Sequence, residues 1–217
     1  MKTDKQLKAD VQAELDWEPS IDAANVGVAV KDGIVTLTGH LNTYAEKADI
    51  ERVVGRVAGV QAVAVELDVK VAGEHVRSDG EIAKAAEDAL AWSSVVPRDK
   101  IRIKVEKGWI TLTGEVEWEF QRESAVSAVR SLKGVRGVNN LMALKPHVTP
   151  TDVGLRIRDA LTRHAYREAQ NIEVLVNGST VTLRGKVDAW VDRAAAQGAA
   201  WSAAGVTRVI NELAIAP

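Results

Sequence analysis

The stretch Gly33-Ile34-Val35-Thr36-Leu37-Thr38-Gly39 returns as Gly108-Trp109-Ile110-Thr111-Leu112-Thr113-Gly114, and more loosely as Ser179-Thr180-Val181-Thr182-Leu183-Arg184-Gly185. A run that alternates β-branched residues and leucine between glycines predicts a strand with punctuation at both ends. The offset is 75 residues from Gly33 to Gly108 and 71 from Gly114 to Gly185. A near-constant period of this size means one structural unit written three times. The repeat divides the 217 residues into units of about 70, near the lower limit for an independent core.

Each unit opens on a helix start. Thr3, Ser78 and Thr149 share a repeat position; Gln6 and Glu81 complete capping boxes, and the third unit offers Pro150 and Asp152. Apolar stripes follow at i, i+4, i+8: Leu7-Val11-Leu15, Ile82-Ala86-Leu90 and Val153-Ile157-Leu161. They predict one helix face buried against a sheet. Alternating first strands come next (Val26-Val28-Val30, Ile101-Ile103-Val105, Ile172-Val174-Val176). Hairpin turns are expected through Asp32-Gly33, Lys107-Gly108 and Asn177-Gly178. Gly39, Gly114 and Gly185 are expected to end the second strand, where no side chain fits.

Second helices carry the stripes Ile50-Val53-Val57, Ala125-Ala128-Leu132 and Ala196-Ala199-Ala203, stopped by Gly59, Gly134 and Gly205. Third strands begin at Val63, Val138 and Val209. The order per unit is αββαβ, within boundaries 1–72, 77–145 and 148–217. The fold class is α+β.

Composition excludes more than it selects. There is no cysteine, so neither disulfides nor thiolate metal sites are available. The formal charge of −2 divides as −5, +2 and +1 over residues 1–75, 76–147 and 148–217. That balance lacks the basic bias of a nucleic-acid binder. The start Met1-Lys2-Thr3-Asp4-Lys5-Gln6 precedes a segment charged throughout, with no apolar export core. The chain as it stands therefore reads as cytoplasmic, or as periplasmic if a leader has been removed.

The αββαβ order, with Gly-x-Val-x-Leu-x-Gly on the second strand and Gly-Val-x-x-Val before the third, resembles the BON domain family. The third copy departs most, with Ser179 for the first glycine and Arg184 for a threonine. The resemblance implies two helices on one face of a small mixed three-stranded sheet. It also implies binding of phospholipid or other hydrophobic surfaces in osmotic or envelope stress, without a catalytic motif. A cytoplasmic protein–protein scaffold or a small-ligand or ion sensor is the alternative, and a homo-oligomer is a further option for the partner.

Chemistry has little to stand on. His40, His75, His147 and His164 are scattered without metal-ligand spacing, and no nucleophile elbow or phosphate loop is present. Gly134-Val135-Arg136-Gly137 mimics a GxxG nucleic-acid loop but lies between helix and strand without a basic surround. No cofactor is expected.

The tryptophans are what the repeat does not explain. Trp17 and Trp92 share a position just past the first helix, where the third unit has Arg163; a shared lid over the core edge is the expectation. Alternation puts Trp109 on the outer sheet face, and Trp118 stands where Thr43 and Ala189 would otherwise predict a polar or small residue. Trp190 and Trp201 lie with Ala194 and Gln197 on the helix face opposite the alanine stripe, where the second unit has Glu119, Glu123, Val126 and Arg130. Large apolar residues on a normally wet face need a cover. All six are candidate contacts for a hydrophobic surface or a partner, a sister unit or second chain being the favoured cover for Trp190 and Trp201.

Overall fold

The computed structural model describes residues 2–71, 73–145, 152–164 and 172–216. Six α-helices and three three-stranded sheets occupy them. Unit 1 runs α1 (Asp4–Trp17), β1 (Val26–Lys31), β2 (Ile34–Leu41), α2 (Tyr44–Val54) and β3 (Ala62–Val69). Unit 2 runs α3 (Asp79–Trp92), β4 (Ile101–Glu106), β5 (Trp109–Val116), α4 (Glu119–Arg130) and β6 (Gly137–Leu144). Unit 3 runs α5 (Val153–His164), β7 (Ile172–Asn177), β8 (Thr180–Val187), α6 (Trp190–Trp201) and β9 (Arg208–Ile215). In every sheet the middle strand pairs antiparallel with the first and parallel with the third. The parallel pair is joined through the second helix, as parallel strands require.

The repeated stretch is the middle strand. Val35 and Leu37, Ile110 and Leu112, Val181 and Leu183 are all fully buried. Both helices cover that face, with Leu7, Val11 and Leu15 and their counterparts buried on the first helix. The second-helix stripe is one residue wider than the spacing predicted. Val54, Val129 and Ala200 are buried as well, because i+4 lies on the same face as i+3.

The closing glycines do not end their strands. β2, β5 and β8 continue to Leu41, Val116 and Val187, which are buried. Gly39 and Gly114 adopt φ of 121° and 131°. A Cβ there would lie 2.0 Å from the carbonyl oxygen of Asn25 or Lys100, the residue just before the neighbouring strand. In the third unit the two turn residues are Gly178 and Ser179, one later than predicted, since Asn177 pairs with Thr180. Positive φ there falls on Gly178.

A carboxylate locks each of the first two hairpins to its first helix. Asp4 accepts from the N–H groups of Asp32 and Gly33 at 3.0 and 3.3 Å. Asp79 accepts from Lys107 and Gly108 at 2.8 and 2.9 Å. These bonds hold Asp32 and Lys107 at positive φ, 51° and 52°, which costs a non-glycine residue stability. The capping boxes of Thr3–Gln6 and Ser78–Glu81 form as predicted. Those expected at Thr149 and Pro150 lie outside the described residues.

Each unit owns its core, and the seams between units are thin. The accessible surface is 12367 Å² for 23.4 kDa. One compact domain of that mass would expose roughly 9,700 Å² and three separate ones roughly 13,000 Å².

A methyl group therefore acts oppositely at two glycines of unit 2. Gly114→Ala drives a Cβ into Lys100 O and is expected to cost about 3 kcal/mol. Gly80→Ala, on α3 with open space around it, should gain about 0.5–1 kcal/mol. Denaturant unfolding followed by tryptophan emission measures both.

Candidate functional site

The helix that begins each unit's second half carries the residues that differ most between copies. Tyr44, Glu119 and Trp190 are its first residue in units 1, 2 and 3. Gly55, Arg130 and Trp201 occupy one equivalent position at its other end. All three helices carry residues that reach a sister unit. Tyr44 of α2 packs against the core of unit 2. Trp201, at the end of α6, packs against the cores of both unit 2 and unit 3, and Arg122 of α4 stands over its ring, 5.3 Å from the centroid. A Cβ on Gly55 would lie 2.7 Å from Trp190 Cδ1.

The start of α4 thus meets the end of α6, the start of α6 meets the end of α2, and the start of α2 meets unit 2. Contacts that run from unit 1 to 2, from 2 to 3 and from 3 back to 1 return to their origin and form a closed ring. Two clefts repeat the pattern at the rim. Val71 of unit 1 faces Ser78 and Asp79 of unit 2, and Ile215 and Ala216 of unit 3 face Thr3 and Asp4 of unit 1.

Gly55 is glycine for space, since its φ of −65° suits any residue. Trp190 fills that space and is itself faced by Arg193, 5.2 Å from the ring centroid. Trp190 and Trp201 are half-buried between sister units. Trp109 lies on the outer sheet face at 46% exposure. Its ring covers Gly137, its partner on β6, where a Cβ would come within 2.3 Å of the indole. That placement, with Gly134 pressed against Ile82, spends both glycines of the GxxG segment on packing. Trp118 is half-buried at the start of α4, where its N–H donates to Gln121 Oε1 at 3.1 Å.

Trp17 and Trp92 form no lid. They are 84% and 93% exposed. Each stands two residues past the last buried leucine of its helix, about 200° around the axis from the core stripe.

At the seam between units 2 and 3, Trp118, Phe120, Glu119 and Glu123 from α4 face Gly198, Trp201 and Ser202 across a groove of about 500 Å³. Glu119 pairs with Arg122 at 2.6 Å, with side chains only 11% and 23% exposed. Glu123 forms no hydrogen bond or ion pair in the described structure. Burial holds its carboxyl above the usual range, Glu119 adds to the rise, and Arg122 opposes it. Phe120 is the groove residue that the repeat pattern left unremarked; its counterparts are Ala45 and Val191, and that mismatch was its signal. Among the described residues no group of three or more His, Asp or Glu is placed to hold a metal, and no helix is long and apolar enough to cross a membrane.

The BON domain model matches residues 3–71, 78–146 and 151–217. The chain belongs to the BON domain family, in three tandem copies. It is 27% identical over 146 residues to osmotically-inducible protein Y of Escherichia coli, covering 65% of this chain and 73% of that one. Two solved structures of CdsD, a structural protein of the type III secretion system of Chlamydia trachomatis, are similar at 15% identity. One, of the C-terminal domain, covers both chains fully with a TM-score of 0.27; the other covers 98% of this chain and 93% of that one at 0.25. At such scores the likeness carries no structural argument.

The raised Glu123 carboxyl has a pH signature. A carboxyl held up in the folded state favours folding while protonated, and the contribution is lost as pH rises through its folded-state value. Thermal melts of Glu123→Gln and wild type should differ least at acid pH, with the variant gaining on wild type as pH rises to neutrality.

Proposed function

We propose that the chain is a non-enzymatic binding module of an osmotic or envelope stress response, and that it touches phospholipid surfaces through Trp17 and Trp92. The observation that carries this reading is the exposure of two indoles, 84% and 93%, at one repeat position. Each such ring leaves on the order of 200 Å² to water, so burying both is worth on the order of 10 kcal/mol. A bilayer interface suits them, since indole has an apolar body and one N–H for the wet side. The repeat supports the reading further. Trp17 and Trp92 hold one repeat position, so like units present both indoles in equivalent settings.

The BON fold agrees with a binding role, and the likeness to an osmotically inducible protein agrees with the stress setting. Trp190 and Trp201 are assigned to the chain's own seams rather than to a surface. Trp17 is flanked by Asp16 and Glu18, so insertion of the rings, rather than attraction to anionic headgroups, drives the contact.

Sedimentation with vesicles tests this. Wild type should pellet with neutral phosphatidylcholine vesicles at least as well as with anionic ones, with a blue-shifted tryptophan emission. The Trp17→Ala/Trp92→Ala double variant, folded by circular dichroism, should remain in the supernatant. Wild type that stays in solution with both vesicle types removes the reading.

A further inference from the structure

The three seams of the ring are an internal comparison, and one of them is unlike the others. Between units 2 and 3 the groove presents Trp118, Phe120 and Trp201 together with Glu119 and Glu123. The equivalent residues between units 1 and 2 are Thr43, Ala45, Arg130, Tyr44 and Ala48. Between units 3 and 1 they are Ala189, Val191, Gly55, Trp190 and Ala194. At those equivalent positions each seam has one aromatic residue and no carboxylate, with Arg130 in the first and Arg52 and Arg56 in the second matching Trp201, Gly198 and Ser202.

Glycine marks the same seam. Gly198 stands in the interior of α6 where the other copies have Arg52 and Ser127. A Cβ there would meet nothing within 4 Å. Glycine inside a helix costs about 0.5–1 kcal/mol relative to alanine, yet here packing does not demand it. What it does is leave the groove floor open.

We infer that this groove binds an organic cation, a quaternary or alkyl-substituted ammonium group, between the aromatic rings and the Glu123 carboxylate. Ring faces attract such cations through their quadrupoles, most strongly where water is excluded, and the Arg122 guanidinium over Trp201 shows the ring already in use this way. Arg122 does not repel the ligand from the site as a whole, because its charge is matched by Glu119 at 2.6 Å. That leaves Glu123 as the groove's net charge. Glu123 is open to the groove and to solvent and has no hydrogen bond or ion pair of its own in the described structure, so a cation seated there meets an unpaired carboxylate. A hydrated metal ion gains little from such walls; an ammonium carrying methyl groups gains from both ring and carboxylate. The inference rests on the ring and not on the membrane reading.

Calorimetric titration of the full chain with tetramethylammonium chloride and choline chloride, against sodium chloride at equal ionic strength, tests it. Saturable heat is expected from both organic cations and none from sodium. Glu123→Gln and Phe120→Ala should each weaken binding about tenfold, while Val191→Ala, the counterpart of Phe120 at another seam, leaves it unchanged. No saturable heat from either cation, an equal response to sodium, or affinity indifferent to both groove variants overturns the inference. Sedimentation of Glu123→Gln with phosphatidylcholine vesicles separates two sources of the same head group. A loss of vesicle binding assigns the groove to a lipid choline, and retention assigns it to a free cation.

Discussion

The contact between Trp190 and Gly55 joins the two units that the chain itself does not link. Units 1 and 2, and units 2 and 3, are consecutive in sequence and stay close whatever their surfaces do. Units 3 and 1 are held together by side chains alone. An indole set against a missing side chain does that at little cost in strain, because Gly55 sits at a helix end in ordinary helical geometry. Any residue with a Cβ would compete with the ring for the same place. With that seam made, three α+β units become a ring.

The ring is built from self-sufficient parts. Each unit buries its own valines, leucines and isoleucines, so seam residues were released from the duty of making a core. This is why α2, α4 and α6 differ so widely on their outer faces while their inner faces match. Thin seams have a second consequence: such contacts are worth little individually, and domain motions are the default where interfaces are small. A ligand seated between units 2 and 3 would add to one seam without touching the fold of either unit.

Most of the fold was legible because it is local and periodic. Hairpin glycines, capping boxes and helix stripes announce themselves within a few residues, and three copies in register make each signal more specific. The carboxylate clamps of Asp4 and Asp79 were written in the sequence too, at one repeat position, but their targets lie 28 and 29 residues away. The tryptophans divide along the same line. Trp109 followed from strand alternation. Trp17 and Trp92 were misjudged as a lid although the helical angle from Leu15 and Leu90 already turned them outward. The covers of Trp190 and Trp201 could not be specified, because contacts between units carry no period. The groove at Trp118, Phe120 and Glu123 was hidden for the same reason: its two walls come from helices about 70 residues apart.

What repeats in this chain makes the scaffold, and what differs between copies makes its surfaces. How those surfaces are arranged relative to one another depends on the ring being closed in solution. The chain has no cysteine, so a pair introduced at the exposed positions Lys5 and Ala214 can carry spin labels at defined sites. These positions flank Asp4, Gln6 and Ile215, which line one cleft in the closed ring. Pulsed dipolar spectroscopy should therefore give a single short and narrow distance distribution. A broad distribution reaching long distances, as three tethered and independent units would give, contradicts the ring.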